Sequence, residues 1–270
     1  MKPAFYPPHP ALANYISHIM VVELRLDVVS NKFSPFPPTP QHAIHFYPRD
    51  AVKTYTSENM VTTSPDSIIV GPQVTKVNIA VGMHHVITSV AFQPGGLFRL
   101  LGIPMHELYD QPYDATLVLG KDLREVNEKL REAITALEMK NIVEQYFLRK
   151  IKISALLPWE HAMKAQLNNP LSIEKAASLS CLSLRQFERK AKEVMGYSPK
   201  VFSRLIRFSK AYRMKENNPT TNWTSIAHAC GYFDQMHLIR DFKEFAGVAP
   251  GVITQQLQQA PHQFQANLKI

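Results

Sequence analysis

The C-terminal half of this sequence repeats itself at an interval of 51 residues, and this repeat constrains the fold more than any other feature. The matching positions are Ala176 and Ala227, Arg189 and Arg240, Lys192 and Lys243, Glu193 and Glu244, Gly196 and Gly247, and Pro199 and Pro250. Similarity at a fixed interval indicates one supersecondary unit used twice. The sequence therefore predicts a C-terminal domain built from two copies of a small unit.

Each copy has the pattern of a helix, a tight turn and a second helix. In the first copy, Ser183 is followed three residues later by Gln186, which is the spacing of a capping box at a helix start. Asp234 takes the capping position in the second copy. Each copy ends with a glycine and then a proline, which suit a helix end and the first turn of the next helix. The pattern predicts two helix-turn-helix units.

The second helix of each unit is predicted to be a recognition helix, with apolar residues on one side and polar residues on the other. Side chains near the start of such a helix reach base edges in the major groove of DNA. The base-reading candidates are Arg185, Glu188, Arg189, Gln235, Met236 and Arg240. For Arg189 and Arg240, contact with phosphate or with the nearby carboxylates of Glu193 and Glu244 is the competing interpretation.

A long helix predicted over residues 200–215 joins the two units, and its cations could reach the DNA backbone. The phosphate candidates are Arg204, Arg207, Lys210 and Lys243. The whole chain of 270 residues has a net charge of +8. Residues 158–270 hold 15 lysines and arginines against 8 aspartates and glutamates, whereas residues 1–157 hold 15 against 14. The positive charge therefore lies with the repeat, as binding to a polyanion requires.

Residues 157–255 resemble the tandem helix-turn-helix domain of AraC/XylS-type transcription regulators. The residues that carry the resemblance are Ile173, Ala176, Ala177, Ser183, Phe187, Arg189, the run from Gly196 to Pro199, Ile226, Ala227, the run from Gly231 to Asp234, Phe242, Lys243 and the run from Gly247 to Pro250. Gly71-Pro72-Gln73 and the run from Gln93 to Gly96 resemble the N-terminal domain of an unassigned AraC-type subgroup. The resemblance implies a sequence-specific DNA-binding regulator in bacteria, controlled by a small-molecule effector or by dimerisation through its N-terminal domain.

The first hundred residues alternate apolar and polar side chains in short runs, which predicts antiparallel strands. We expect strands at 22–27, 43–47, 67–70, 77–81 and 86–92, a hairpin over 78–92, a short helix over 14–20 and a loop over 33–40. The fold class is α+β. A β-rich barrel- or sandwich-like domain, residues 1–156, includes a helical connector over about 121–155, and the all-α tandem helix-turn-helix domain spans residues 157–270. After Pro250 the polar, glutamine-rich tail gives no strong structure signal.

A helix predicted over residues 122–137 carries an apolar seam. Leu123, Val126, Leu130, Ala133 and Leu137 recur at alternating three- and four-residue spacing. Such a seam packs either against the same chain or against a second copy in a homodimer. Both alternatives stay open at this point.

No pattern in the sequence indicates catalysis, a metal site or a cofactor, and no cofactor-binding residue is assigned. His42 and His45 would face opposite sides of a strand, which disfavours a shared metal. The aromatic residues Tyr15, Phe46, Tyr47 and Phe92 either line a pocket or form core.

The alternatives to a regulator are an enzyme whose β domain is targeted to DNA and a non-specific DNA binder. The absence of a signal-peptide pattern or of a long apolar run predicts a cytoplasmic protein without membrane contact.

Overall fold

The computed structural model describes residues 3–27, 33–55, 61–150, 156–168, 171–262 and 264. Residues 151–155, at the end of the predicted helical connector, lie outside the described residues. In the part that is described, the N-terminal half is rich in strands and the C-terminal half is helical. This agrees with the α+β fold class expected from the sequence.

Strands of the described N-terminal residues form two antiparallel sheets that face each other, so the observed form is a sandwich and not a closed barrel. The strands are β1 (Ala4–Tyr6), β2 (Ile16–Arg25), β3 (Ser34–Phe36), β4 (Ala43–Phe46), β5 (Lys53–Tyr55), β6 (Val61–Thr63), β7 (Ser67–Val70), β8 (Val77–Ala80), β9 (His84–Phe92) and β10 (Pro112–Asp114). Within these residues the larger sheet has the order β1-β2-β9-β4-β7-β10, and the smaller one has the order β3-β8-β5-β6.

The long strands β2 and β9 are neighbours inside the larger sheet, and β2 contradicts one prediction. The helix expected over residues 14–20 is absent from the described structure, since β2 begins at Ile16 and pairs with β9. Ile19, Val21 and Val22 are β-branched and buried, which suits a strand packed on both faces. The local sequence alone does not reveal the partner strand β9, which lies about seventy residues away.

Two further local predictions are wrong for a related reason. The hairpin expected over residues 78–92 does not form, because β8 pairs with β3 and β5 whereas β9 pairs with β2 and β4 in the other sheet. The loop expected over residues 33–40 contains the short strand β3. Pro35 is tolerated there because β3 lies at a sheet edge, where a missing backbone N–H costs little.

Four α-helices of the described residues accompany the sheets: α1 (Gly96–Leu101), α2 (Ala115–Leu119), α3 (Asp122–Glu132) and α4 (Ala136–Lys150). Two short 3₁₀ helices lie at Pro10–Leu12 and Met105–Leu108. The seam helix expected over 122–137 ends at Glu132, and Leu137 lies exposed on α4. Leu123, Val126 and Leu130 are buried in one core with residues of the larger sheet. The seam thus packs within its own chain, as the first of the two alternatives had it.

The C-terminal half contains the helices α5 (Pro158–Asn168), α6 (Ile173–Leu179), α7 (Leu184–Met195), α8 (Pro199–Asn217), α9 (Trp223–Ala229), α10 (Gln235–Phe245) and α11 (Pro250–Gln259). The two repeated units and the joining helix predict α6 to α10. Helix α11 is not predicted, because its sequence is polar and glutamine-rich. Its buried residues Ile253 and Leu257 join the helical core, and this packing stabilises a weakly patterned segment.

Among the described residues, no helix is both long and apolar enough to span a membrane.

Candidate nucleic-acid interface

The first helix-turn-helix unit comprises α6 and α7, and its turn has the predicted capping box. Ser183 Oγ accepts a hydrogen bond from the Gln186 backbone N–H at 3.3 Å, and Gln186 Oε1 accepts one from the Ser183 N–H at 2.9 Å. These two bonds satisfy backbone donors that the start of a helix leaves free. Helix α7 ends at Gly196, whose φ of +72° is the left-handed conformation that glycine adopts at low cost.

The second unit comprises α9 and α10, and a carboxylate replaces the hydroxyl cap. Asp234 Oδ1 accepts a hydrogen bond from the His237 backbone N–H at 2.8 Å. This backbone bond, reinforced by the His237 side chain, lowers the pKa of Asp234 below its usual value. The carboxylate is therefore ionised at neutral pH and complements the positive end of the helix dipole.

The base-reading candidates all lie on exposed faces of α7 and α10. Opposite them, Phe187 and Leu238 are buried in the helical core and fix the rotation of each helix. The candidates at the exposed positions are Arg185, Glu188, Arg189, Gln235, Met236 and Arg240. Each recognition helix therefore presents its early side chains to solvent, in the position that reaches base edges in this motif.

The carboxylates that could have held the two equivalent arginines are engaged elsewhere. Glu193 accepts a hydrogen bond from Lys190 Nζ at 3.2 Å, and Glu244 is paired with Arg204. Within the described residues, neither Arg189 nor Arg240 forms a salt bridge. Their guanidinium groups are therefore available to a ligand.

Arg204 differs from the other phosphate candidates because it links two helices. Its Nε donates to Asp241 Oδ1 at 2.8 Å, and its guanidinium also donates to Glu244. Glu244 above all raises the pKa of Arg204, and the exposed fraction of the Arg204 side chain is only 22%. The structure therefore gives Arg204 a role in joining α8 to α10.

The other phosphate candidates are more accessible. Lys210 and Lys243 are exposed, and Lys210 Nζ donates to the Ala229 carbonyl at 3.3 Å. Arg207 is half-buried, with its guanidinium 5.5 Å from the centre of the Tyr232 ring. This stacking holds the Arg207 stem while part of the cation stays in solvent.

The end of α7 is fastened to the β-rich half by contacts that the sequence did not predict. The Tyr197 hydroxyl accepts a hydrogen bond from the Gln73 N–H at 2.6 Å and donates to the Gln73 carbonyl at 3.1 Å. His42 Nε2 lies 3.2 Å from the Met195 carbonyl oxygen, and both residues are buried. No local pattern marks such contacts, because their partners are more than a hundred residues apart in sequence.

A cavity of about 180 Å³ lies between the two sheets. Its walls are mainly apolar, with Met20, Ile68 and Ile79 among the lining residues. His45 and His85 also line it, and the Nδ1 atom of each is buried without a hydrogen bond in the described structure. Desolvation lowers the pKa of both side chains from 6.5 to about 4. The rings are therefore neutral at pH 7 and can accept or donate a hydrogen bond to a guest.

The aromatic residues considered for a pocket divide between the two roles. Tyr47 lines the cavity, and burial raises the pKa of its hydroxyl well above the usual value. Tyr15, Phe46 and Phe92 belong to the core on the other face of the larger sheet. The two interpretations, pocket lining and core, thus each apply to part of this group of aromatic residues.

Two family models match the chain. One is described as a helix-turn-helix domain and matches residues 176–256, which confirms the predicted motif. The other is described as a domain of unknown function (DUF6597) and matches residues 4–114. A search of the curated proteins found no match.

Several solved structures are similar to this chain at low identity. Wild-type ToxT of Vibrio cholerae with a bound unsaturated fatty acid is 12% identical, with a TM-score of 0.47 over 91% of this chain and 97% of that one. The DNA-binding domain of AdpA in complex with a target DNA is 18% identical, with a TM-score of 0.35 over 38% of this chain and 94% of that one. A regulator of Chromobacterium violaceum with an AraC-type DNA-binding domain is 25% identical, with a TM-score of 0.33 over 37% and 91%.

Proposed function

We propose that this chain, an AraC-type transcription regulator, reads DNA sequence with α7 and α10 in two successive major grooves. The observation that carries the proposal is the equivalent, exposed placement of Arg189 and Arg240 on two capped recognition helices. Helix α8 has 19 residues and joins the units. At the usual rise it spans about 28 Å, which suits two readers about one helical turn of DNA apart.

Arginine prefers guanine because its paired N–H groups match O6 and N7 of that base. Each such contact is worth about 1–3 kcal/mol of discrimination against another base. Arg207, Lys210 and Lys243 would bind phosphate, which strengthens binding to every sequence alike. The two classes of residue therefore predict different effects on sequence preference.

The test is selection from a randomised DNA library with the full chain and three variants. We define a box as the short sequence that one recognition helix reads. Arg189→Ala should relax preference in one box and Arg240→Ala in the other, about ten base pairs away. Arg207→Ala is the matched control, because it should lower affinity without changing the selected sequence. Uniform loss of affinity in the first two variants would contradict base reading, and salt-independent binding would contradict DNA binding through phosphates.

We further propose that a small molecule in the cavity controls DNA binding, and the position of Gln73 supports this. Gln73 lines the cavity, and its backbone holds the Tyr197 hydroxyl at the end of α7. A guest that shifts the 71–73 segment would therefore act directly on the first recognition helix. By its lining, the cavity suits a mostly apolar molecule with one hydrogen-bonding group.

The cavity can be tested with 4-butylphenol as the probe. The probe should raise the thermal unfolding midpoint of the wild-type chain, because a ligand that binds only the folded state stabilises it. Ala43→Leu places a larger side chain in the cavity wall and should abolish this increase. Ala13→Leu, at an exposed position, is the control and should keep it. An equal increase in all three proteins would place the probe elsewhere.

We further propose a cytoplasmic location and a domain boundary between residues 156 and 157. We also propose that the chain can form a homodimer. The buried seam of α3 is not available to a second copy. Ile134 and Leu137 lie beside the seam and are 85% and 55% exposed, so these apolar side chains are accessible to a second copy. Sedimentation of the wild-type chain and of Ile134→Ser with Leu137→Ser would test this interface, and two identical monomeric profiles would exclude it.

A further inference from the structure

The two recognition helices share one arginine position but differ in the residues beside it. Arg185 on α7 is equivalent to Met236 on α10, and Glu188 is equivalent to Ile239. At these two positions the first helix therefore presents charged groups that form hydrogen bonds, whereas the second presents apolar groups. Met236 is 57% exposed, which is high for a large apolar side chain.

Phe233, just before the cap of α10, is a further exposed apolar residue of the second unit. Its side chain is 94% exposed, whereas the equivalent residue in the first unit, Leu182, is half-buried against the helical core. Phe233 lies between buried Tyr232 and the helix cap Asp234, so the backbone on both sides of it is fixed. Its ring contacts the His237 ring edge-on, with 6.2 Å between the centroids.

Within the major groove, the apolar group that a base pair offers is the C5 methyl of thymine. We infer that Phe233 and Met236 read thymine methyl groups in the box bound by α10. This inference rests on the proposed function, because it requires α10 to enter the major groove. It gives the two boxes different chemistry: the box of α7 is selected by hydrogen bonds, and the box of α10 contains T·A pairs selected by apolar contact.

The test replaces single thymines by deoxyuridine, which removes the methyl group and leaves base pairing unchanged. The duplex is the sequence selected by the wild-type full chain. Replacing a contacted thymine in the α10 box should weaken wild-type binding roughly fourfold, as expected for one buried group of methyl size. The double variant Phe233→Ser with Met236→Ser should bind the thymine duplex more weakly and should bind thymine and uracil duplexes equally.

Two further variants serve as controls. Phe233→Leu keeps an apolar side chain and should keep the preference for thymine over uracil. Leu184→Ser changes an exposed apolar residue at the start of α7 and should leave the uracil effect in the α10 box unchanged. Phe233 and Met236 are exposed, so their replacement should leave the unfolding midpoint unchanged, and this is measured for each variant.

The outcomes separate the inference from the function on which it rests. A selected sequence without thymine in the α10 box, or equal wild-type binding to thymine and uracil duplexes, overturns the inference and leaves sequence-specific binding intact. A uracil effect of the same size in the wild type and the double variant also overturns it. Failure of the wild-type chain to select any sequence overturns both the proposed function and this inference.

Discussion

Acidification should destabilise this protein because three histidines are held neutral inside the folded chain. Burial lowers the pKa of His42, His45 and His85 from 6.5 to about 4. His42 is 2% exposed and faces the Met195 carbonyl, whereas His85 is 4% exposed and lines the cavity. His45 lines the same cavity and is the most exposed of the three.

The sign follows from the depressed pKa values. Well above pH 6.5 the three rings are neutral in both the folded and the unfolded chain, so they contribute no pH dependence to the free energy of unfolding. Between pH 6.5 and 4 the unfolded chain binds protons that the folded chain does not, so stability falls as the pH falls. At pH 5.5 each histidine shifted from 6.5 to about 4 lowers the free energy of unfolding by about 1.4 kcal/mol, and the three together by roughly 4 kcal/mol.

The assay is guanidinium unfolding of the full chain at pH 7.5 and pH 5.5. The free energy of unfolding should be lower at pH 5.5, and His42→Gln should remove about a third of that difference because one titrating group is lost. His106→Gln, at an exposed position, is the control and should keep the wild-type difference. Equal stability at the two pH values, or the same difference in wild type and His42→Gln, would refute the reasoning.

Three other substitutions test the packing and the links between the halves, each by the free energy of unfolding. Leu130→Ala removes a fully buried side chain and should cost about 2–5 kcal/mol, whereas a loss below about 1 kcal/mol would mean that the seam is not core. Tyr197→Phe removes both hydrogen bonds to Gln73 and should cost about 1–3 kcal/mol, and an unchanged midpoint would deny that the two halves are joined there. Arg204→Met leaves the buried Asp241 carboxylate without its hydrogen-bonded cation and should lower the free energy of unfolding by up to about 3 kcal/mol. The added change Asp241→Asn should recover part of this loss. Full stability of Arg204→Met alone would contradict the role of Arg204 in joining α8 to α10.

The helical half is largely predictable from sequence because its determinants are local. A cap such as Ser183 and its partner Gln186 are three residues apart, and the glycine that ends α7 acts at its own position. Amphipathic spacing then fixes which face of each helix is buried. The candidate reading face, with Arg189 and Arg240 in equivalent places, therefore follows from the amino-acid sequence alone.

Features that depend on contacts between residues distant in sequence are seen only in the tertiary structure. The helix predicted over residues 14–20 is wrong because the strand β2 there is stabilised by pairing with β9, which is remote in sequence. The hairpin predicted from β8 and β9 is wrong for the same reason, because each strand pairs with strands of a different sheet. The role of Arg204 likewise depends on Asp241, across the interface between α8 and α10.

The cavity and the contacts that fasten α7 to the β-rich half are of the same kind. Tyr197 is an ordinary aromatic residue in the sequence, and only the folded chain brings its hydroxyl to the backbone of Gln73. Local patterns determine secondary structure and the face that an element exposes. The cavity between the two sheets and the hydrogen bonds between the two halves arise from long-range packing, which no short window of sequence records.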